Sequence, residues 1–295
     1  MKRLSGKEIS LQIQDELKEE VTKLKELEIP VTLAVILVGD DPASAVYVNN
    51  KKKACERLGI RSIERKMPQS TTQEELLAVV RELNEDAEIN GILCQVPLPK
   101  QCDEKEILNT ISPEKDVDCF HPYNVGLLAT GAPKFMPCTP FGVLQIIKRS
   151  GYETSGKNVV VLGRSNIVGR PLSILMSQKG FDSTVTLCHS RTQNLEEICA
   201  GADILVAAIG IPKFVKKSFV KKGAVVIDVG INRIEDANHP RGGYLVGDVD
   251  YKGIADVAEA ATPVPGGVGP MTIAMLMFNT INAARFQKKM EAFEL

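Results

Sequence analysis

Tyr47 and Lys51 stand four residues apart in the run YVNNKKKACERLG (47–59). On a helix they share one face, a single turn from each other. Lys52 and Lys53 point elsewhere, each rotated by about 100° from its predecessor. A lysine partly buried near other cations loses basicity and can move protons near neutral pH. A tyrosine one turn away can orient it or stack on a planar substrate. A lysine run on a helix is ordinarily a solvated face, and periodicity alone favours that reading. Gln95 closes the apolar run Gly91-Ile-Leu-Cys94, and open α/β sheets place ligand sites at such strand ends. Its amide needs a partner there, either backbone or substrate. Asp116 and Asp118 are two residues apart, which puts both carboxylates on one side of an extended chain. One could hydrogen-bond an amidine-like edge of a heterocycle; a surface turn or a helix cap would use them as well.

A second group of residues suits a dinucleotide. The apolar run 158–162 leads into Gly163-Arg-Ser-Asn-Ile-Val-Gly169 and then a helix pattern. Backbone N–H groups at a helix N-terminus hold pyrophosphate, and glycine lets the backbone come close. The spacing departs from G-x-G-x-x-G: Ser165 occupies the second glycine position and the last glycine comes one place late. A tight strand-to-helix turn in any α/β protein fits these residues equally. The next strand pattern, 184–188, runs into His189-Ser190-Arg191-Thr192. An NAD site carries an acidic residue there for the ribose 2′-hydroxyl. An arginine beside two hydroxyls suits a 2′-phosphate instead, and Arg164 offers a second positive charge, so NADP fits better than NAD. A lone arginine on a loop is also commonly just solvated. The stretch Thr262-Pro-Val-Pro-Gly-Gly-Val-Gly-Pro270 is too rich in proline and glycine for a helix or central strand. Such a loop lets a flat ligand approach the backbone, or simply returns the chain to its first domain.

Regular elements must hold these residues in place. Ser5 and Glu8 have capping-box spacing ahead of Ile9, Ile13, Leu17, Val21 and Leu24, which predicts a helix ended by Pro30. The run 31–38 reads as a buried strand and 43–58 as a helix stopped by Gly59. A strand over 60–66, a helix over 72–84 capped by Thr72 and Glu75, and a short strand over 91–94 follow. The stretch 115–123 reads as a loop. A helix is predicted over 139–150, opened by Thr139 with Pro140 at its first position. Strands over 158–162, 184–188, 203–208 and 224–228 alternate with helical patterns, and 271–286 is apolar and helical. Alternation of this kind predicts parallel sheets with crossover helices.

The chain has 295 residues, enough for two domains at about 150 residues each. Its net charge of −1 makes no case for nucleic acid or an anionic membrane as partner. With 44% hydrophobic and 25% charged residues it is neither disordered nor a disulfide-dense mini-protein. No apolar segment follows the N-terminal Lys2 and Arg3, so no signal peptide is expected, and no apolar run has the length of a membrane span. Seven cysteines without Cys-x-x-Cys spacing and three dispersed histidines argue against structural zinc and for reduced thiols in a cytoplasmic setting.

Taken in order, nine stretches resemble one family nearly end to end: YVNNKKKACERLG (47–59), GILCQVPLP (91–99), PEKDVDCFHP (113–122), PCTPFGV (137–143), VLGRSNIVGRP (161–171), TVTLCHSRT (184–192), VIDVGIN (226–232), VGDVD (246–250) and TPVPGGVGPMTIAML (262–276). The family is the bifunctional methylenetetrahydrofolate dehydrogenase/cyclohydrolase, often called FolD. The resemblance implies NADP-dependent oxidation of 5,10-methylenetetrahydrofolate to the 5,10-methenyl form, which water then opens to 10-formyltetrahydrofolate. It implies a role in one-carbon metabolism and, by residue-for-residue match, a set of site residues. Lys51 is the catalytic lysine, Tyr47 stacks on or orients the folate, Gln95 positions the lysine, and Asp118 grips the pterin-like ring. Gly163, Arg164, Ser165, Ser190, Arg191 and Ile231 match the cofactor contacts; Pro265, Gly266 and Gly267 match the lining of the folate cleft. A homodimer joined through the cofactor domains is implied too. The expected architecture is two α/β domains around a cleft. Residues 1–137 with 271–295 form the folate domain, and 138–270 form a Rossmann-like NADP domain.

One departure stands out. The family's motif reads D-V-D-G, and here Cys119 replaces the glycine. If that position needs φ > 0, a cysteine is strained there by about 1–2 kcal/mol. Three other functions stay open at this level: a dehydrogenase without cyclohydrolase activity, using either NADP or NAD; an NADP-dependent dehydrogenase of a shikimate-type substrate; and a non-catalytic dinucleotide-binding regulator.

Overall fold

The computed structural model describes residues 1–236, 239–240 and 242–295, with backbone alone at 42 and 43. In chain order the elements are β1 (Lys2–Arg3), α1 (Gly6–Glu26), β2 (Thr32–Val38), α2 (Pro42–Leu58), β3 (Arg61–Met67), α3 (Gln73–Glu85), β4 (Gly91–Cys94), α4 (Glu104–Thr110), α5 (Pro122–Ala129) and α6 (Cys138–Arg149). Then come β5 (Asn158–Leu162), α7 (Gly169–Ser177), β6 (Thr184–Cys188), α8 (Leu195–Ala200), β7 (Ile204–Ala207), β8 (Val225–Asp228), β9 (Asn232–Glu235), β10 (Gly243–Val246), β11 (Ala260–Ala261) and α9 (Val268–Gln287). They form two compact units. One comprises Leu11–Cys138 and Ile273–Leu295, the other Met1–Ser10 and Thr139–Thr272. This cut differs from a boundary at 1–137 because β1 pairs with β11 in the second unit's sheet.

The first unit carries a three-stranded parallel sheet in the order β3-β2-β4. All seven residues of β2 are buried, as its unbroken apolar run demands of a central strand. Its Ala34, Ile36 and Val38 pack with Leu76, Val80 and Leu83 of α3 and with Ile92 of β4. The expected capping box opens α3: the Thr72 hydroxyl accepts the Glu75 N–H, and the Glu75 carboxylate accepts the Thr72 N–H. The far end of α3 is closed by a buried lysine. Lys115 Nζ donates to the carbonyls of Leu83 (3.1 Å), Asn84 (2.8 Å) and Asp86 (2.7 Å), a cation on the negative end of the helix. The loop reading of 115–123 ends early, since α5 begins at Pro122 with His121 Nδ1 accepting the Tyr123 N–H.

The second unit carries six parallel strands in the order β6-β5-β7-β8-β11-β1. After β5 the chain moves outward to β6 and then crosses back to β7 on the other side of β5. That reversal is a topological switch point, where ligands bind at the carboxyl ends of the strands. Val160, Leu162, Leu205 and Val226 sit in its core. An antiparallel ribbon of β9 and β10 lies apart from the six strands. Two helix starts differ from expectation. Cys138 already belongs to α6, and Thr139 Oγ1 pairs with Thr272 Oγ1 at 3.0 Å instead of capping. Gly269 and Pro270, read from sequence as loop, lie in the first turn of α9, where a missing N–H costs no intrahelical bond. No helix among the described residues is long and apolar enough to cross a membrane.

Candidate active site

Tyr47 and Lys51 do share a face of α2. The Asp41 side chain caps the helix through the Ser44 N–H (2.7 Å), and Gly59 ends it at φ 79°, a conformation that costs glycine little. The solvated-face reading holds for Lys52 and Lys53, which are exposed. It fails for Lys51, which is only 8% exposed. The Lys51 ammonium donates to Gln95 Oε1 at 2.9 Å, its one hydrogen-bond partner among the described residues. Gln95 Nε2 donates to the Val96 carbonyl at 2.6 Å, and its backbone N–H continues the sheet by donating to Ile36. The amide is therefore turned with its oxygen toward the lysine. Burial pushes the Lys51 pKa below the usual lysine value, opposed by the charge of Asp118 and by Cys138 and Cys94. Tyr47 is 36% exposed, and its partial burial raises its phenol pKa.

Asp116 and Asp118 do not act side by side, because the chain turns between them instead of extending. Buried Asp116 accepts from the backbone N–H groups of Phe120 (3.1 Å) and His121 (2.9 Å) and from Asn124 Nδ2 (2.8 Å). It is 3% exposed and ties down the entry to α5. Burial still drives its pKa up, against those bonds. Asp118 is part-buried. Burial also raises its pKa, opposed by the Lys51 charge and by the Cys138 thiol. Lysine and aspartate thus each restrain the other's loss of charge. Cys119 has φ 61°, so the position does require the left-handed region, and the cysteine takes the strain. In return its 2%-exposed side chain fills the interior, with the thiol donating to the Phe135 carbonyl at 3.4 Å. Burial raises the pKa of that thiol, which keeps it protonated at neutral pH.

Asn279 was not singled out from sequence. Its Nδ2 donates to the carbonyls of Val117 and Met136, each at 2.7 Å, while Cys138 Sγ donates to Val117 as well (3.3 Å). The amide and the thiol pin the residue just before Asp118. A buried amide inside the apolar run 271–286 was the available signal.

The second unit presents the other set of residues. Gly163 ends β5 at φ 119°, and a Cβ there would lie 2.1 Å from the Ala208 carbonyl oxygen. A Cβ on Gly169 would lie 1.9 Å from the Gly163 oxygen. These two glycines let the turn pack against β7 and α7 against the turn. Ser165 needs no glycine because its Oγ folds back to accept the Val168 N–H at 3.1 Å. Arg164, Ser165, Ser190, Arg191 and Ile231 are all exposed. A turn in which His189 N–H donates to Thr192 Oγ1 (2.9 Å) presents Ser190 and Arg191 outward. Neither the Arg164 nor the Arg191 guanidinium has a partner among the described residues. In the 262–267 loop Pro265 is exposed, Gly266 has φ 99° and accepts the Lys7 N–H at 3.0 Å, and Gly267 is buried. A cradle that a Cβ would fill, an open helix N-terminus and two free cations fit a dinucleotide with an additional phosphate.

Comparison with known proteins matches one family model to each part of the chain. The model of the tetrahydrofolate dehydrogenase/cyclohydrolase catalytic domain matches residues 4–118, and that of the NAD(P)-binding domain matches 137–288. The bifunctional protein FolD of Acetivibrio thermocellus is 57% identical over 291 residues, covering 98% of this chain and 99% of that one. Among solved structures, the bifunctional FolD of Campylobacter jejuni is 44% identical with a TM-score of 0.91, covering 97% of this chain and 99% of that one. The Trypanosoma brucei enzyme, complexed with NADP cofactor and inhibitor, is 38% identical with a TM-score of 0.92 and covers 97% of each chain.

Proposed function

Because the chain belongs to the tetrahydrofolate dehydrogenase/cyclohydrolase family, we infer that it oxidises 5,10-methylenetetrahydrofolate with NADP+ and hydrolyses the methenyl product to 10-formyltetrahydrofolate. It is an enzyme of one-carbon metabolism. The observation that carries the two-step reading is the buried Lys51, bonded to Gln95 at 2.9 Å and facing the charge of Asp118. A dehydrogenase alone has no use for such a group. When bound, NADP+ supplies the hydride acceptor. The substrate nitrogen's lone pair expels the hydride, so that step asks the protein for positioning and no acid or base.

Hydrolysis does need proton transfers. Water adds to the methenyl carbon and gives up one proton; as the carbon–nitrogen bond to the ring breaks, the ring nitrogen gains a proton and the new hydroxyl releases its own to solvent, leaving the formyl group. Lys51 is assigned the transfers from water and to the ring nitrogen, as neutral amine first and as ammonium second. Its lowered pKa supports this by enlarging the neutral fraction at physiological pH. Gln95 holds the amine, Tyr47 stacks on or orients the folate, and Asp118 grips the pterin-like ring. The unit around Lys51 is read as the folate domain. The unit around Gly163 is read as the NADP domain, with Gly163 and Ser165 at the pyrophosphate, Arg164, Ser190 and Arg191 at the 2′-phosphate, and Ile231 against the nicotinamide end. The reading extends to a cytoplasmic homodimer, for which light scattering is the check.

The test is an absorbance assay with 5,10-methylenetetrahydrofolate and either NADP+ or NAD+, read before and after acid so that reduced cofactor and methenyl product are separated. NADPH without methenyl accumulation is the expected result. Methenyl accumulation would remove the hydrolytic half and support a dehydrogenase alone. No reduction with either cofactor would overturn the reading.

A further inference from the structure

Asp228 and Asp248 are buried carboxylates in the dinucleotide-binding unit, and no lysine, arginine or histidine pairs with either among the described residues. Both are satisfied by N–H donors instead. Asp228, at the end of β8, accepts from the backbone of Gly230 (3.0 Å), Asp248 (2.9 Å) and Val249 (3.0 Å). Asp248, 0% exposed, sits just beyond β10. One of its oxygens accepts the Ile209 N–H (2.7 Å) and the Gly210 N–H (2.9 Å); the other accepts Asn232 Nδ2 (2.9 Å).

Those partners lie in two separate loops. Residues 208–210 follow β7 and face the Gly163 turn, where Ala208 carbonyl and glycine are in close approach. Asn232 opens β9 next to the exposed Ile231. One carboxylate therefore ties the loops after β7 and after β8 together at the strand ends of the switch point. The surroundings are built to admit it: a Cβ on Gly230 would lie 2.2 Å from Asp248 Oδ1, and one on Gly247 1.8 Å from Asp228 Oδ2. Without that acceptor three part-buried donors lose their partner, which favours movement of the loops.

We propose that Asp248 is a positioning residue for the cofactor: it touches no ligand itself, and it fixes the 208–210 and 231–232 loops in the arrangement that binds NADP. The proposal rests on reading this unit as the NADP site.

The experiment compares Asp248→Ala and Asp248→Asn with the parent. Asp248→Ala removes the acceptor; Asp248→Asn keeps one oxygen for Ile209 and Gly210 but loses the charge. Calorimetric titration with NADP+ is expected to show affinity weakened by about tenfold in the alanine variant, the loss of roughly one hydrogen bond to a charged group, and by less in the asparagine variant. The KM for NADP+ should rise with kcat largely held. Amide exchange without cofactor should quicken at 208–211 and 231–233. The cyclohydrolase rate, which uses no dinucleotide, should stay within about twofold of the parent and shows that the variants are folded. If the parent binds NADP+ and both variants bind it within twofold of the parent, Asp248 has no such role. If the parent binds no NADP+, the dinucleotide reading itself falls.

Discussion

Replacing Gln95 by leucine removes the one hydrogen-bond acceptor that Lys51 has among the described residues while keeping the side chain's approximate volume. The bond joins a cation to a neutral carbonyl oxygen, so it favours the charged lysine. Such bonds contribute about 1.5–3 kcal/mol. Water or substrate will restore part of that in a part-open site, leaving about 1.4 kcal/mol, which is about one pH unit. Burial already lowers the Lys51 pKa, and Asp118 opposes that shift without being touched by the substitution. The sign follows: the acid limb of the cyclohydrolase profile, where Lys51 must lose its proton, moves to lower pH by about one unit. The maximal rate should fall at the same time, because nothing then aims the amine. The assay follows loss of methenyl absorbance across the pH range, with the uncatalysed rate subtracted and dehydrogenase turnover as the control for folding. An acid limb that stays in place, or moves up, would refute the idea that this hydrogen bond supports the charged form.

Four further outcomes are expected. Lys51→Met should lower cyclohydrolase turnover by at least about 100-fold, the usual contribution of general acid–base catalysis, while NADPH formation persists and methenyl product accumulates. Arg191→Ser should raise the KM for NADP+ by about tenfold or more through loss of a charge-assisted phosphate contact, with little change for NAD+. Lys115→Met removes the lysine donor from the Leu83 and Asn84 carbonyls at the end of α3 and from Asp86 just beyond it and should lower the unfolding free energy by about 3 kcal/mol, read from urea denaturation. Asp228 has a pKa raised to about 7 by burial, so its protonated form favours the fold. Its contribution is fully present below about pH 4 and is lost as pH rises through about 7, by up to about 4 kcal/mol. The stability difference between pH 5 and pH 8 should therefore shrink in Asp228→Asn, measured as the shift in urea midpoint.

Much of the framework was legible from local signals. The apolar run of β2, the Thr72–Glu75 capping box and the Gly59 stop are properties of a few adjacent residues, and each appears where spacing puts it. The pairing of Tyr47 with Lys51 on one face also follows from helical geometry. Spacing could not say which of Lys51, Lys52 and Lys53 is buried; resemblance to a family singled out Lys51. Burial depends on β4 arriving beside α2 with Gln95 at its end, a contact across 44 positions. The same limit separates Asp116 from Asp118. An extended chain would place them alike, but the turn held by Asn279, 162 positions from Val117, gives one to the α5 entry and the other to Lys51. The glycine-turn spacing departs from G-x-G-x-x-G, and the tertiary contacts show which glycines the turn needs: Gly163 and Gly169 stand where backbones meet, and the Ser165 hydroxyl folds back onto the Val168 N–H. Asp248 was invisible as one of the two acidic residues in VGDVD. Its role exists only because chain crossovers bring the ends of β7 and β8 within reach of one carboxylate. Sequence determines local conformation through sterics and hydrogen bonds between near neighbours; burial, charge and partnership belong to residues that only the fold makes neighbours.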